Sequence, residues 1–331
     1  LCNSDSVNGG MIVNEINTIV NQQLNIERTS ERAKEYILHA KANNTIKSYK
    51  SDWKDFTAYC KREKVAALTA DIDTVINYVA DMAETKKVST IVRRLSSISQ
   101  AHQAAGCGSP TFSFGVKAVV KGIKKTKGTL PNKKSAAVIE DIRLMVDTLG
   151  GKLVDIRDRA LILVGFAGAF RRSELVAIVM DDIEFNRDGL TITLLHSKTD
   201  QEGQGYKKGI PYGSHPDTCP VRSLQDWLQA AKITTGPLFR RINKYGKVGT
   251  TALTDQSVAL IVKKLANAAG LDAKKYSGHS LRSGLISTAA NRGVDERSIM
   301  KQSGHKSLTV MRGYIQDATL FKNNAATHVG L

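Results

Sequence analysis

Gly278-His279-Ser280-Leu281-Arg282-Ser283-Gly284 is followed by Ser303-Gly304-His305-Lys306-Ser307-Leu308-Thr309-Val310-Met311-Arg312-Gly313-Tyr314, and the rest of the chain is read outward from these two stretches. His279 and Arg282 stand three apart, so a helix beginning at Ser280 presents both at one of its ends. His305 opens a second short segment. Tyr314 follows nine residues later, two and a half helical turns, which leaves room for a turn of chain between them. These residue types make sense together if an anionic group is handled between them.

A tyrosine among guanidinium and imidazole groups suits attack on phosphorus. A phenol has a reference pKa near ~10, so neighbouring positive charge must make up roughly 4 kcal/mol to present phenolate at neutral pH. Arginines supply that charge without a metal, because their planar forks bind two phosphate oxygens at once and stay protonated. Taken singly, His279, Arg282, His305 and Tyr314 would read as scattered surface residues; the set is what carries the signal.

With those residues in view, Gly278–Gly284 resembles the His-x-x-Arg box of the tyrosine recombinase (phage integrase) family, and Ser303–Tyr314 resembles the family's terminal box, which ends in the nucleophile. Ala167–Leu175, reading A-G-A-F-R-R-S-E-L, is similar to the first-arginine box, with Arg171 in the catalytic place and Glu174 as the supporting carboxylate. Lys198 in H-S-K-T-D matches the family's β-hairpin lysine. The resemblance implies a mainly α fold with a small antiparallel β-sheet: a helical core-binding domain and an α+β catalytic domain that together form a C-shaped clamp on DNA.

Composition agrees with a polyanionic partner. The 331 residues suffice for two cores, 41% are hydrophobic, and 48 Lys and Arg against 31 acids give a net charge of +17. Charge alone does not separate nucleic acid from an anionic membrane. No apolar run approaches the ~20 residues that span a bilayer and no leader pattern is evident, so the expectation is a cytoplasmic protein, nucleoid-associated if bacterial. Cys2, Cys60, Cys107 and Cys219 are far apart with no C-x-x-C, which reads as reduced thiols, Cys60 in a core, with neither a disulfide framework nor a zinc site.

In chain order, residues 1–28 form a tail or a short helix, because Ile12, Ile16, Ile19, Val20 and Leu24 share one helical face. So short a segment is too small for a separate arm-site domain, which points to the simpler, Cre-like two-domain architecture. Residues 29–125 read as the helical core-binding domain. Tyr49, Trp53, Phe56 and Cys60 recur at intervals of three and four, Asp71 or Asp73 starts the next helix, and a last helix is expected over 112–123. Arg93 and Arg94 lie off an apolar face, within expected reach of phosphates. Lys117, Lys121, Lys124, Lys125, Lys127, Lys133 and Lys134 follow with no acid among them, and residues 126–135 are taken as a basic linker crossing a DNA backbone.

Residues 136–331 are the expected catalytic domain. Helices are read from Val138 to Leu149 and from Asp155 to Phe170. Arg171 and Arg172, if both helical, point about 100° apart, so only one can share the site with Glu174. Asn186-Arg187-Asp188-Gly189 marks a hairpin. Gly203, Gly205 and Gly209 match no phosphate-loop spacing and read as a mobile hairpin tip carrying Lys198. A short helix is expected from Asp317 to about Thr327, which the resemblance suggests docks on a neighbouring protomer.

The implied mechanism has Tyr314 as nucleophile forming a 3′-phosphotyrosyl link, Arg171 and Arg282 clamping the phosphate oxygens, and Lys198 protonating the leaving oxygen. His279 takes the tyrosine proton and His305 donates to the phosphate, or the two share these tasks, and Glu174 orients Arg171 or a histidine. No metal, nucleotide or other cofactor is called for, and the expected partner is double-stranded DNA bound by a homotetramer on two sites. Two alternatives remain: a type IB topoisomerase, which would need no second DNA site, and an architectural DNA-binding protein, which would require a broken box. An anionic-membrane binder would account for the charge but not for the boxes.

Overall fold

A computed structural model describes residues 43–129, 134–194, 205–320 and 329. The expectations for residues 1–28, for Lys133 and Lys198, and for a helix reaching Thr327 lie outside the described residues. The chain divides into two compact units between Pro131 and Asn132.

The described part of the first unit is built of α1 (Asn43–Glu63), α2 (Ile72–Thr85), α3 (Val88–Ala104) and α4 (Phe114–Lys127). Asp71 caps α2 by accepting from the Thr74 backbone N–H at 2.6 Å. The three-and-four spacing in α1 buries Trp53, Phe56 and Cys60 against Val75, Tyr78 and Val79 of α2, with Ile91, Ile98 and Val116 closing the core. The Phe56 and Tyr78 rings meet edge to face, 5.0 Å between centroids. The aromatic stripe is therefore core.

In this unit and its neighbour one helix and several basic side chains lie otherwise than expected. The last helix starts at Phe114 rather than 112, because the Ser113 hydroxyl accepts from Val116 N, and it runs on through the lysines until Gly128, at φ 71°, ends it. Arg94 does not face outward: only 12% of its side chain is exposed, and its guanidinium grips both carboxylate oxygens of Asp55 and reaches the Tyr78 hydroxyl at 3.1 Å. Arg93 is more exposed but pairs with buried Asp52. Lys127 donates to the Ala83 and Lys86 carbonyls at the end of α2, so its ammonium satisfies a helix terminus instead of standing free for phosphate. Lys134, likewise, donates to the Lys274 carbonyl within the second unit. Lys117, Lys121 and Lys124 do line an open groove on the first unit, facing Tyr49, Ser96, Gln100 and Gln103.

In the second unit α5 (Ile139–Asp147) precedes α6 (Leu153–Ala167), which buries residues on every side from Ala160 to Phe166 and forms the axis of the core. After α7 (Arg172–Ala177) come β1 (Ile183–Asn186), β2 (Gly189–Leu194) and β3 (Tyr206–Pro211), an antiparallel sheet in that order with Phe185 opposite Leu190 and Leu194 opposite Tyr206. The tight turn forms where Asn186 Oδ1 accepts from Asp188 N and Gly189 N, both at 3.0 Å. Gly209, expected in a mobile hairpin tip, belongs instead to strand β3. The strand's alternation is masked by two lysines and a glycine, yet the pairing with β2 runs through all six residues.

The chain continues through α8 (Pro220–Ala230), the β4 (Arg240–Ile242) and β5 (Val248–Ala252) ribbon, α9 (Asp255–Ala268), α10 (His279–Asn291), α11 (Glu296–Ser303) and α12 (Leu308–Ala318). Helices α8 and α10 pack on α6, and α12 packs on α10. Close approach to α10 is possible because residue 284 is glycine: a Cβ there would lie 1.8 Å from the carbonyl oxygen of Ala137, and the backbone N–H of Ala137 donates to Ser280 O at 2.9 Å. Among the described residues no helix is long and apolar enough to cross a membrane.

Candidate active site

Four elements converge on one spot. Arg171 is not helical. It is the N-cap residue of α7, with extended backbone, so the geometry that separates it from Arg172 is that of a helix start and not a 100° step along a helix. Glu174, 4% exposed, closes the cap by accepting from Arg171 N at 2.9 Å and pairs through its other oxygen with Arg171 Nη1. Among the described residues the Glu174 carboxylate bonds to Arg171 and to no histidine. Arg172 turns away and stands 3.6 Å from Asp255.

Arg282, on the first turn of α10, is 1% exposed. Its Nη1 donates to Ala169 O at 2.8 Å, and Nη2 lies 3.3 Å from His305 Nε2 and 3.5 Å from Nδ1. Burial, and then Arg171, bring its pKa down to about 10, with Glu174 opposing, so it remains a cation at neutral pH. His279, beginning the same helix, places Nε2 2.9 Å from the Tyr314 hydroxyl. The Tyr314 ring also faces His305, 5.9 Å between centroids. Tyr314 is carried by α12, which is anchored by buried Met311 packing against Ile286 and Ile299.

Both imidazoles are held neutral. Burial, then Arg282 and Arg171, lower the His279 pKa below its usual value, and the same causes push His305 down to about 4. Ser303 Oγ sits 2.8 Å from His305 Nδ1. Between them Gly304 adopts the left-handed conformation, φ 66°, and a Cβ there would meet the Tyr206 hydroxyl at 2.6 Å. The glycine of the terminal box thus ends α11, turns His305 inward and makes room for β3.

The site contains residues the motifs did not point to. Lys208 is 2% exposed; its ammonium donates to the Gly168 carbonyl and lies 4.5 Å above the Phe170 ring. Burial brings its pKa down to about 7, opposed by Glu174 and assisted by Arg282 and Arg171. Tyr206 is buried at its hydroxyl, which has no hydrogen-bond partner among the described residues. The available signal was phase: Tyr206, Lys208 and Ile210 alternate along β3, so the lysine falls on the inward side.

The profile of the phage integrase family matches residues 138–320, which span all these groups. The chain belongs to the phage integrase family. Among its relatives, the "Integrase/recombinase xerD homolog" of Selenomonas ruminantium is 43% identical over 305 residues, covering 91% of this chain and 89% of that protein. The "Recombinase cre" of Escherichia phage P1 is 22% identical over 321 residues, covering 89% and 92%. Solved structures share the fold at low identity. XerH site-specific recombinase bound to palindromic difH substrate superposes with a TM-score of 0.64 at 16% identity, over 98% of this chain and 90% of that one. A lambda integrase dimer bound to a COC' core site gives 0.59 at 15% identity, over 95% and 83%. The chain is accordingly a tyrosine recombinase.

Proposed function

We propose that this integrase-family enzyme performs site-specific recombination by cleaving and rejoining DNA strands through a 3′-phosphotyrosyl intermediate formed on Tyr314. The observation that carries this reading is the 2.9 Å approach of the Tyr314 hydroxyl to neutral His279 beside buried Arg282. Tyr314 oxygen attacks phosphorus as its proton passes to His279, and the bond from phosphorus to the 5′ oxygen breaks. Arg171 and Arg282 hold the non-bridging oxygens, where charge builds in the transition state. His305 donates to the same phosphate, or shares the proton-accepting task with His279. Lys198 supplies the proton that the departing 5′ oxygen takes up. The phosphotyrosyl ester retains the energy of the broken phosphodiester, so a second 5′-hydroxyl can attack it without ATP.

We assign the working assembly as a homotetramer on two double-stranded DNA sites, with a core-binding domain to about residue 125, a linker near 126–135 and the catalytic domain beyond it. Supplying DNA with one or two copies of the target tests the reading against a topoisomerase. Exchange of flanking sequence that requires both copies is expected; efficient relaxation of a single-site circle without exchange would contradict it.

Acid should act late on this site. Both histidine pKa values are lowered, so each ring stays neutral, and able to accept a proton, until the pH falls below the ordinary histidine value of 6.5. Single-turnover formation of the covalent adduct is expected to stay flat down to about pH 6.5 and to decline only in more acid buffer. An acid limb centred at or above neutrality would show that the proton acceptor is another group.

The groove on the first unit offers Lys117, Lys121 and Lys124 to a DNA backbone. Replacing all three by alanine is expected to weaken DNA binding and to flatten the slope of log K against log salt by about 2 to 3, at ~0.9 for each phosphate no longer neutralised. An unchanged slope in titrations at several salt concentrations would place the phosphates elsewhere.

A further inference from the structure

The last turn of α6 is held in an unusual way. A helix end leaves its final carbonyls without backbone partners. Here Gly168, Ala169 and Phe170 return their N–H groups to Val164, Phe166 and Gly165. The next three carbonyls are each taken by a side chain from a different element. Gln302 of α11 donates to Ala167 O at 2.8 Å, Lys208 of β3 donates to Gly168 O, and Arg282 of α10 donates to Ala169 O at 2.8 Å. Gln302 donates also to Gly209 O of β3 at 3.2 Å. Ala169 itself is held at φ 47°, a conformation costly for alanine, and Arg171 follows two residues later.

This turn therefore sets the spacing between the two arginines: Arg282 is fixed to one of its carbonyls and Arg171 emerges from its end. We propose that Lys208 and Gln302 are positioning residues, which lock the 167–170 turn so that Arg171 and Arg282 grip one phosphate together. A helix terminus can be satisfied by water or by backbone, so an ammonium 2% exposed is an expensive way to cap one. The cost is understandable where the turn must not shift. The groups surrounding that ammonium are Glu174, Arg171, Arg282 and the ring faces of Phe170 and Tyr206. An arriving phosphate would add negative charge to this set and favour the protonated, bonded form of Lys208.

The inference rests on the reading of Arg171 and Arg282 as the phosphate clamp, and the test separates the two. Full-length Lys208→Met, Gln302→Met and Arg282→Ala are compared with wild type in single-turnover adduct formation. One DNA carries an ordinary phosphodiester at the mapped cleavage position, the other a neutral methylphosphonate, which has less need of a cationic clamp. On phosphodiester, Lys208→Met is expected to lose about 100-fold and Gln302→Met about 10-fold, the scale of an ångström of misplacement, with DNA affinity unchanged. On methylphosphonate each deficit should shrink to within a few-fold, as for Arg282→Ala. Equal deficits on both DNAs, or wild-type rates on the phosphodiester, overturn the positioning role. A deficit of Arg282→Ala that does not shrink overturns the clamp itself, and the inference with it. Should Lys208→Met fail to bind DNA, Gln302→Met, which removes no charge, decides the matter alone.

Discussion

Tyr314→Phe is expected to bind DNA like wild type and to form no adduct that survives SDS. The substitution removes a single oxygen. The ring keeps its place against the Met311, Ile286 and Ile299 cluster, and the interaction given up is the hydrogen bond to His279. Stability should change by no more than about 1 kcal/mol, the usual worth of such a bond. Cleavage, in contrast, should fall to background, since no other hydroxyl stands against His279 Nε2 among the described residues. The measurement is gel retardation beside SDS-resistant retention on DNA from the gene's own flanking region. An adduct persisting in the mutant would move the nucleophile to another residue, and an absent wild-type adduct alongside firm salt-sensitive binding would favour an architectural role.

Arg282→Ala has the second-largest expected effect, and it acts on both chemistry and fold. Removing one donor to a developing oxyanion typically costs about 10²–10³ in rate, and Arg282 faces the site while also holding Ala169. A loss of about 10³-fold in adduct formation is expected. Leaving the Ala169 carbonyl unpaired should also cost about 1–3 kcal/mol of stability, read as a lower denaturation midpoint. Arg282→Lys is the informative companion: it keeps the charge but not the planar fork that reaches the carbonyl and the His305 ring together, so it should recover little activity. Cleavage by Arg282→Ala within about 10-fold of wild type would remove this residue from the clamp.

The site was legible in the sequence to the extent that its parts lie close along the chain. His279 with Arg282, and His305 with Tyr314, are set by helical spacing within one or two elements, and spacing is what a sequence displays. The cores were legible for the same reason: Trp53, Phe56 and Cys60 recur with the period of α1, and the Asn186–Gly189 turn announces its hairpin. Strand β3 was not legible because Lys207, Lys208 and Gly209 hide a period-two pattern whose inward positions are partly polar.

The partners of long charged side chains were decided by tertiary structure alone. Arg94 reads as a surface cation until α1 brings Asp55 beside it, and Lys127 until the end of α2 offers its carbonyls. Arg171 and Arg172 are neighbours with equal local claims; the cap with Glu174 and the approach of Asp255 on α9 separate them. Lys208 meets a carbonyl 40 residues away, Arg282 one 113 away and Gln302 one 135 away. Periodicity and motif spacing describe the chain over a few turns, and so determined the family and most of the elements, and brought Tyr314 forward as the candidate nucleophile. Which buried cation satisfies which helix end depends on how those elements pack, and only the folded unit decides it.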